Sequence, residues 1–244
     1  IRDINCVRRH LSALKGGRLA RAARPGRVVT LAISDVPGDE IGDIGSGPTI
    51  PDPTTGAEAL AILERHGCPG VEELTGQLLD PGQQSPKLGD PDFSGDHAEI
   101  IATAATALDA AEGYLRSLGI EVRRLGEDLT DEAHILGREH AELAGSLAST
   151  SVPLALLSGG ETRVQVRKCG GRGGRNLEYL AGLAIGLDSA DDIVAIAADT
   201  DGLDGSGGHA GAYVYPGVLS MARKAGVDIQ EALSENDTYR FFLA

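Results

Sequence analysis

Residues 98–125 read AEIIATAATALDAAEGYLRSLGIEVRRL. The run opens on a short apolar stretch at 98–103, passes into an alanine-rich helical stretch at 105–118 that stops at Gly119, and turns apolar again at 120–125. Strand, helix and strand at this spacing predict a crossover connection, and therefore parallel strands with helices on their faces. The alternation continues with a helix at 131–148, strands at 153–157 and 162–168, a helix at 174–187 and a strand at 192–198. A strand at 211–215 and a helix at 216–225 follow, with Pro216 tolerated in the first helical turn. The expected fold class is α/β with a mostly parallel sheet.

Toward the N-terminus, residues 27–34 (Arg-Val-Val-Thr-Leu-Ala-Ile-Ser) form a β-rich apolar run that feeds a polar, Gly/Pro-rich stretch from Asp35 to Thr55. A loop of that length inside a folded domain is usually functional when ordered. A helix is expected from Thr55 to His66, capped by Thr54 or Thr55 and closed by Gly67. Residues 80–96 are rich in Pro, Gly, Asp, Gln and Ser and show no periodicity, so a domain boundary is placed there, giving 1–92 and 93–244. A length of 244 residues fits two domains.

A formal net charge of −14 disfavours nucleic acid and anionic membranes, which need clustered Lys and Arg. With no Trp and three Phe, an aromatic platform for single strands has little material. Acidic small molecules stay open, because a few Arg and backbone amides in a cleft override the mean field locally. Cys6, Cys68 and Cys169 are widely spaced without a metal-ligand pattern and read as reduced thiols of a cytoplasmic protein. No apolar stretch approaches the roughly 20 residues of a membrane span, so a soluble protein is expected. The chain opens in mid-helix pattern and stops on Phe241-Phe242-Leu243-Ala244, which reads as the start of an element, so a piece of a longer chain is expected.

In an open α/β sheet, ligands bind beyond the carboxyl ends of strands. Four segments stand there. Ser34-Asp35-Val36-Pro37-Gly38-Asp39, with Gly45-Ser46-Gly47-Pro48-Thr49 after it, offers carboxylates, hydroxyls and amides, although turns use the same residue types. Ser158-Gly159-Gly160-Glu161-Thr162 reads equally as an anion-approaching loop or a β-turn. Gly170-Gly171-Arg172-Gly173-Gly174-Arg175-Asn176 sits at a helix start, where amides and two guanidiniums suit an anion, or the two Arg pair with surface carboxylates. Asp199-Thr200-Asp201-Gly202-Leu203-Asp204-Gly205 crowds three carboxylates without EF-hand spacing, which suits the Mg²⁺ of a nucleotide or else a solvated turn. There is no G-x-x-x-x-G-K-[ST] loop, G-x-S-x-G elbow, H-E-x-x-H or complete G-x-G-x-x-G, since Asn176 stands where the third glycine would be.

Taken together, these segments resemble the type II glycerate kinase family, formerly called hydroxypyruvate reductases, whose C-terminal part is the MOFRL domain. The carriers are Asn5-Cys6-Val7-Arg8-Arg9-His10-Leu11-Ser12, Lys15-Gly16-Gly17-Arg18-Leu19-Ala20, Ser34 to Asp39, and Ser46 to Thr55. In the C-terminal half they are Ser158 to Thr162, Gly171 to Glu178, Thr200 to Gly205 and Ala210-Gly211-Ala212. Counting 5–12 with 15–20 as one motif and 200–205 with 210–212 as another, these are six motifs whose order is highly specific and which run through nearly the whole chain. Departures are Leu177 for the family's usual Gln, Ala198 for Gly, and Gly208-His209 for Asp-Ala.

The resemblance implies a larger Rossmann-like domain, whose C-terminal part would be residues 1–92, and a smaller α/β MOFRL-type domain, with the active site in the cleft between them. Family members carry well over a hundred residues before the counterpart of Asn5, including a Gly-Lys segment, so this stretch is expected to be catalytically incomplete. It further implies ATP with Mg²⁺, D-glycerate as substrate and 2-phosphoglycerate as product; a homodimer is compatible with it. On that reading Arg172 and Arg175, with the amides of Gly173 and Gly174, hold the ATP phosphates or the substrate carboxylate. Asp199 and Asp201 contact Mg²⁺, and Asp35 or Asp201 accepts the hydroxyl proton. Ser46, Gly47, Thr49, Ser158, Gly159 and Gly160 line the site. A reductase using a nicotinamide cofactor and a non-catalytic binder of anionic metabolites are the rival readings.

Overall fold

The computed structural model describes residues 1–36, 38–147, 152–187, 190, 192–206 and 208–244. They divide into two compact units, Ile1–Ala107 and Leu108–Ala244.

The first unit begins with helices α1 (Arg2–Leu11) and α2 (Arg18–Ala22) and strand β1 (Val29–Ile33). After the long loop come α3 (Gly56–Arg65), α4 (Val71–Leu79) and β2 (His97–Ala102). The start of α3 is fixed by a capping box: the Glu58 amide donates to Thr55 Oγ1 at 3.2 Å and the Thr55 amide to Glu58 Oε2 at 2.7 Å. Gly67 follows that helix at φ +60°, a conformation that favours glycine. Cys6 of α1, Ala59 and Leu63 of α3, and Val71 and Leu78 of α4 form the buried cluster of this unit. Strands β1 and β2 pair in parallel, Val29 opposite His97 and Ala32 opposite Ile100. That pairing puts residues 97–102 in the first unit, so the division falls at 107/108, later than the 92/93 expected from loop composition.

Helix α5 (Ala104–Ser117) runs across the division. The second unit continues with β3 (Glu121–Leu129), α6 (Ala133–Leu147), β4 (Leu154–Gly160), α7 (Arg175–Gly186) and β5 (Ala195–Ala198). It ends with β6 (Gly211–Val214), α8 (Val218–Lys224), α9 (Ile229–Ser234) and α10 (Thr238–Leu243). Strands β3 and β4 are parallel, whereas β5 and β6 are antiparallel. The fold is therefore mixed α/β with parallel pairs, and the mostly parallel expectation fails at β6. Alternation of elements predicts crossovers, but β5 and β6 are joined by a loop, which permits an antiparallel return.

The expected strand at 162–168 is absent apart from a single bridge between Arg163 and Glu132. A side chain stands in for a partner strand. Asn236 Oδ1 accepts from the amides of Arg167 and Lys168 at 2.6 and 3.1 Å, and its Nδ2 donates to the Gln165 carbonyl at 3.0 Å. Residue 148, the expected end of α6, lies outside the described residues.

The core of the second unit is built around α7, whose Leu180, Ala181, Leu183 and Ala184 are buried with Val214 of β6, Leu219 and Ala222 of α8, Ala232 and Leu233 of α9, and Phe241 of α10. Helices α6 and α7 meet backbone to backbone. A Cβ on Gly137 would lie 2.1 Å from the Tyr179 carbonyl oxygen, and one on Gly182 would lie 2.0 Å from that of His134. This close seam fixes how α7, and so its N-terminus, is carried. Among the described residues no helix is long and apolar enough to cross a membrane.

Candidate functional site

In the second unit, the segments after β4 and β5 converge with the start of α7. Arg175, the first residue of α7, sends its guanidinium into two carboxylates. Nη2 donates to Asp199 Oδ1 and Oδ2 at 2.8 and 3.0 Å, and Nε to Oδ2 at 3.2 Å. Nη1 donates to Glu161, just beyond β4. Burial works against the charge of Arg175, but Asp199 and Glu161 outweigh it and hold its pKa above the ordinary value. Asp199 is set in turn by β6's approach, its amide donating to the Ala210 carbonyl at 2.8 Å.

The N-terminus of α7 is satisfied from within the chain. Asp204, fully buried, accepts from the Asn176 amide through Oδ1 and from the Leu177 amide through Oδ2, both at 3.0 Å. Two orphan donors and the positive helix terminus thereby receive a carboxylate. The glycines beside it make room for protein atoms. A Cβ on Gly174 would stand 2.3 Å from Asp204 Oδ1, and one on Gly173 2.4 Å from Thr238 Oγ1. One on Gly171 would stand 2.5 Å from the carbonyl oxygens of Glu235 and Asn236. At the helix start, Asp204 thus takes the place expected of an external anion on the Asn176 and Leu177 amides.

Arg172 behaves differently from Arg175. Its guanidinium lies over the Tyr239 ring, 4.1 Å from the centroid, while its amide donates to Asp237 Oδ1 at 3.0 Å. The His209 ring stacks on the same tyrosine at 4.7 Å between centroids. Asp201 is exposed, with Oδ1 accepting from the Leu203 amide at 2.9 Å in a local turn.

The pair assigned to Mg²⁺ divides on the same grounds. Asp199 does not fit, because both its oxygens already face Arg175 and one also accepts from Asn176 Nδ2 at 3.3 Å. Asp201 fits a single contact, and a Mg²⁺ carried by phosphate oxygens asks for only one or two carboxylates. Among the described residues no group of three or more His, Cys, Asp or Glu side chains is arranged to hold a metal ion.

Ser158, Gly159 and Gly160 form the end of β4. Gly160, at φ +140°, lies so close to β3 that a Cβ would meet the Leu129 nitrogen at 2.3 Å. The Ser158 side chain hydrogen-bonds Tyr179, whose hydroxyl also meets His140 Nδ1 at 2.9 Å; burial pushes Tyr179 up to about 12.

In the first unit, the loop after β1 folds onto α1. Ser46 is fully buried at φ +62°, and its hydroxyl donates to Asn5 Oδ1 at 2.8 Å. The Gly47 carbonyl accepts from the Gly17 amide at 2.9 Å, and Thr49 Oγ1 lies 2.7 Å from Thr30 Oγ1. Of the expected lining residues, Ser46 is therefore corrected to a structural one. Asp35 is exposed beyond Ser34, at the carboxyl end of β1; Pro37 lies outside the described residues.

Beneath that loop runs a buried polar network without an assigned role in the sequence reading. Arg9 pairs with Asp43 and donates to the Gly42 carbonyl at 2.6 Å, with Asp52 at 3.7 Å. Asp52 accepts from the Thr54 amide at 2.9 Å, Thr54 Oγ1 at 2.6 Å and Ser85 Oγ at 2.9 Å. Burial lowers the pKa of His10, whose Nδ1 meets the Cys6 carbonyl oxygen at 3.0 Å. Glu161, Asn176 and Asp204 were likewise read only as letters of motifs. Their signal was available: each sits beyond a strand end or at a helix start.

A family model described as a domain of unknown function, DUF4147, matches residues 1–79, and the MOFRL family model matches 154–244. An Agrobacterium vitis protein provisionally named hydroxypyruvate reductase is 45% identical over all of this chain and 56% of its own length. The glycerate kinase of Macaca fascicularis is 30% identical, aligned over 99% of this chain and 72% of its own. A crystal structure of glycerate kinase from Thermotoga maritima superposes with a TM-score of 0.81 at 33% identity, covering 99% of this chain and 57% of that one. The chain thus spans a little over half the length of the Agrobacterium and Thermotoga proteins.

Proposed function

This chain belongs to the glycerate kinase family, and from that premise we propose that the protein of which it is part transfers a phosphoryl group from ATP to D-glycerate, giving 2-phosphoglycerate. The observation that carries the reading is the convergence of Glu161, Arg175, Asp199 and Asp204 at the ends of β4 and β5 and the start of α7. Carboxyl ends of strands are where α/β folds hold small ligands. The parallel β1–β2 and β3–β4 pairs support reading the first unit as the C-terminal part of a larger Rossmann-like domain and the second as an α/β MOFRL-type domain.

Phosphoryl transfer asks the protein chiefly for positioning and charge neutralisation. Arg172, exposed and backed by Tyr239, is the guanidinium presented for a phosphate or the substrate carboxylate. Arg175 is held by Glu161 and Asp199, which makes it the rigid post on which the ends of β4 and β5 are fixed relative to α7. Asp201 or Asp35, both exposed at strand ends, takes the hydroxyl proton, and Asp201 contacts the Mg²⁺ that screens the ATP phosphates. Selection of the 2-hydroxyl follows the family.

The test is the full protein with D-glycerate and Mg-ATP, followed by phosphorus NMR. A 2-phosphoglycerate resonance is expected. No product, with NADH oxidised when hydroxypyruvate is supplied, would replace this reading with the reductase one.

A further inference from the structure

We infer that Asp204 is a positioning residue for Arg175, fixing the first turn of α7 so that the guanidinium stands between Glu161 and Asp199; the inference rests on reading this site as the glycerate kinase centre. Two observations carry it. The two Asp204 oxygens take the amides of Asn176 and Leu177, the two residues directly after Arg175. The Asn176 side chain then bridges from Asp204 Oδ1 to Asp199 Oδ2, each at 3.3 Å. Glu161, Arg175, Asp199, Asn176 and Asp204 are therefore one connected polar chain, running from the end of β4 to the loop after β5.

The carboxylate has no freedom to serve elsewhere. Its own amide donates to the His209 carbonyl at 2.6 Å, and the Ser206 amide donates to that of Gly173 at 3.1 Å. Gly205, at φ +62°, approaches Gly173 so closely that a Cβ would lie 2.0 Å from its carbonyl oxygen. The loop after β5 and the loop before α7 are thus clamped backbone to backbone, with Asp204 as the group that reads out their separation to the helix. A serine or asparagine would cap a helix as well. A fully buried carboxylate costs more to desolvate, and a positively chargeable group, His209 Nε2, stands 3.9 Å away. That cost is repaid if the charge aligns the dipole of the turn that aims Arg175.

The experiment is a double-mutant cycle on the full protein with Mg-ATP and D-glycerate, using Asp204→Asn, Arg175→Lys and the pair. Asp204→Asn keeps the shape and is expected to lower kcat/KM about tenfold to a hundredfold, while the double variant falls no further than Arg175→Lys alone. Multiplying losses, or an unchanged Asp204→Asn, would overturn the inference. Asn176→Ala leaves the Asp204 cap in place and is expected to show a smaller loss that Arg175→Lys also absorbs. A second readout is hydrogen exchange in the segment 175–180 of the same protein, expected to quicken in Asp204→Asn. Should the wild-type protein turn over no glycerate, the kinase reading falls while exchange alone decides this one, unchanged protection refuting it.

Discussion

Replacing Asp52 with Ala should loosen the first unit at α1 by about 3–5 kcal/mol, the cost of removing one partner from a buried charged network. The magnitude can be worked from its neighbours. Thr54 N, Thr54 Oγ1 and Ser85 Oγ lose their acceptor, and hydrogen bonds to a charged group contribute about 1.5–3 kcal/mol each before relaxation. Arg9 Nη1 loses a charge 3.7 Å away, worth about 4 kcal/mol at an effective dielectric of roughly 20. These do not add, because Arg9 keeps Asp43 and the Gly42 carbonyl, and Ser85 keeps Lys87 Nζ at 2.8 Å. Asp52→Asn separates the parts: it retains an acceptor for Thr54 but removes the charge, and about 1–3 kcal/mol is expected. The assay is native-state hydrogen exchange of the α1 amides, since all five tyrosines lie in the second unit and their fluorescence is blind here. A loss below about 1 kcal/mol for Asp52→Ala would refute the view that Asp52 organises this network, and an Asn variant equal to wild type would remove its charge from the account.

Arg172→Ala should cut kcat/KM about a hundredfold, roughly 3 kcal/mol, in a folded protein; an unchanged rate would remove Arg172 from the site. Asn236→Ala should destabilise the second unit by about 2–4 kcal/mol by tyrosine-monitored unfolding, as it deletes four hydrogen bonds, one to Glu178 Oε1 at 2.8 Å. Asn236 sits at φ +52°, so Asn236→Gly should cost about 1 kcal/mol less than Ala, and equal losses would rule out backbone strain there. Tyr179, pushed up to about 12 by burial, should ionise well above the ordinary 10.0 in an ultraviolet pH titration read as the difference between wild type and Tyr179→Phe. The unfolded chain releases that proton near the ordinary pKa of 10.0 while the folded one keeps it, so stability falls as pH rises from 10 towards 12. A Tyr179 difference signal centred at the ordinary 10.0 would contradict that burial.

The elements of the fold were legible where a period was long enough to repeat. The helices at 105–118, 131–148 and 174–187 and the strands at 98–103 and 211–215 all recur within a few residues of where the pattern put them. Pairing direction was not legible, because alternation between strand and helix says nothing about a strand returning through a loop, as β6 does. The segment 162–168 alternates like a strand, yet two of its amides, those of Arg167 and Lys168, are taken by one distant side chain, Asn236, and no local pattern encodes a partner about 70 residues away. Short α9 and α10 gave no readable period either. Their contribution is visible only as packing against α7.

The site was legible in its residue types and illegible in their roles, for a reason that lies in what glycine means. A glycine records that something approaches the backbone too closely for a Cβ, without recording what approaches. The run from Gly170 to Gly174 at a helix start reads as a place left open for an anion. In the folded protein the approaching atoms at Gly171, Gly173 and Gly174 belong to Asn236, Thr238 and Asp204. The same ambiguity governs the acids. Three carboxylates within six residues suggested a shared cation, whereas Asp199 has a guanidinium, Asp204 a helix terminus and Asp201 solvent. Each has its own counterpart, and Asn176 Nδ2 bridges Asp199 and Asp204 at 3.3 Å to each, so their crowding in sequence does not by itself call for a shared cation. The exposed side chains of this region, Arg172 and Asp201, stand beside a helix start whose Asn176 and Leu177 amides are taken by Asp204.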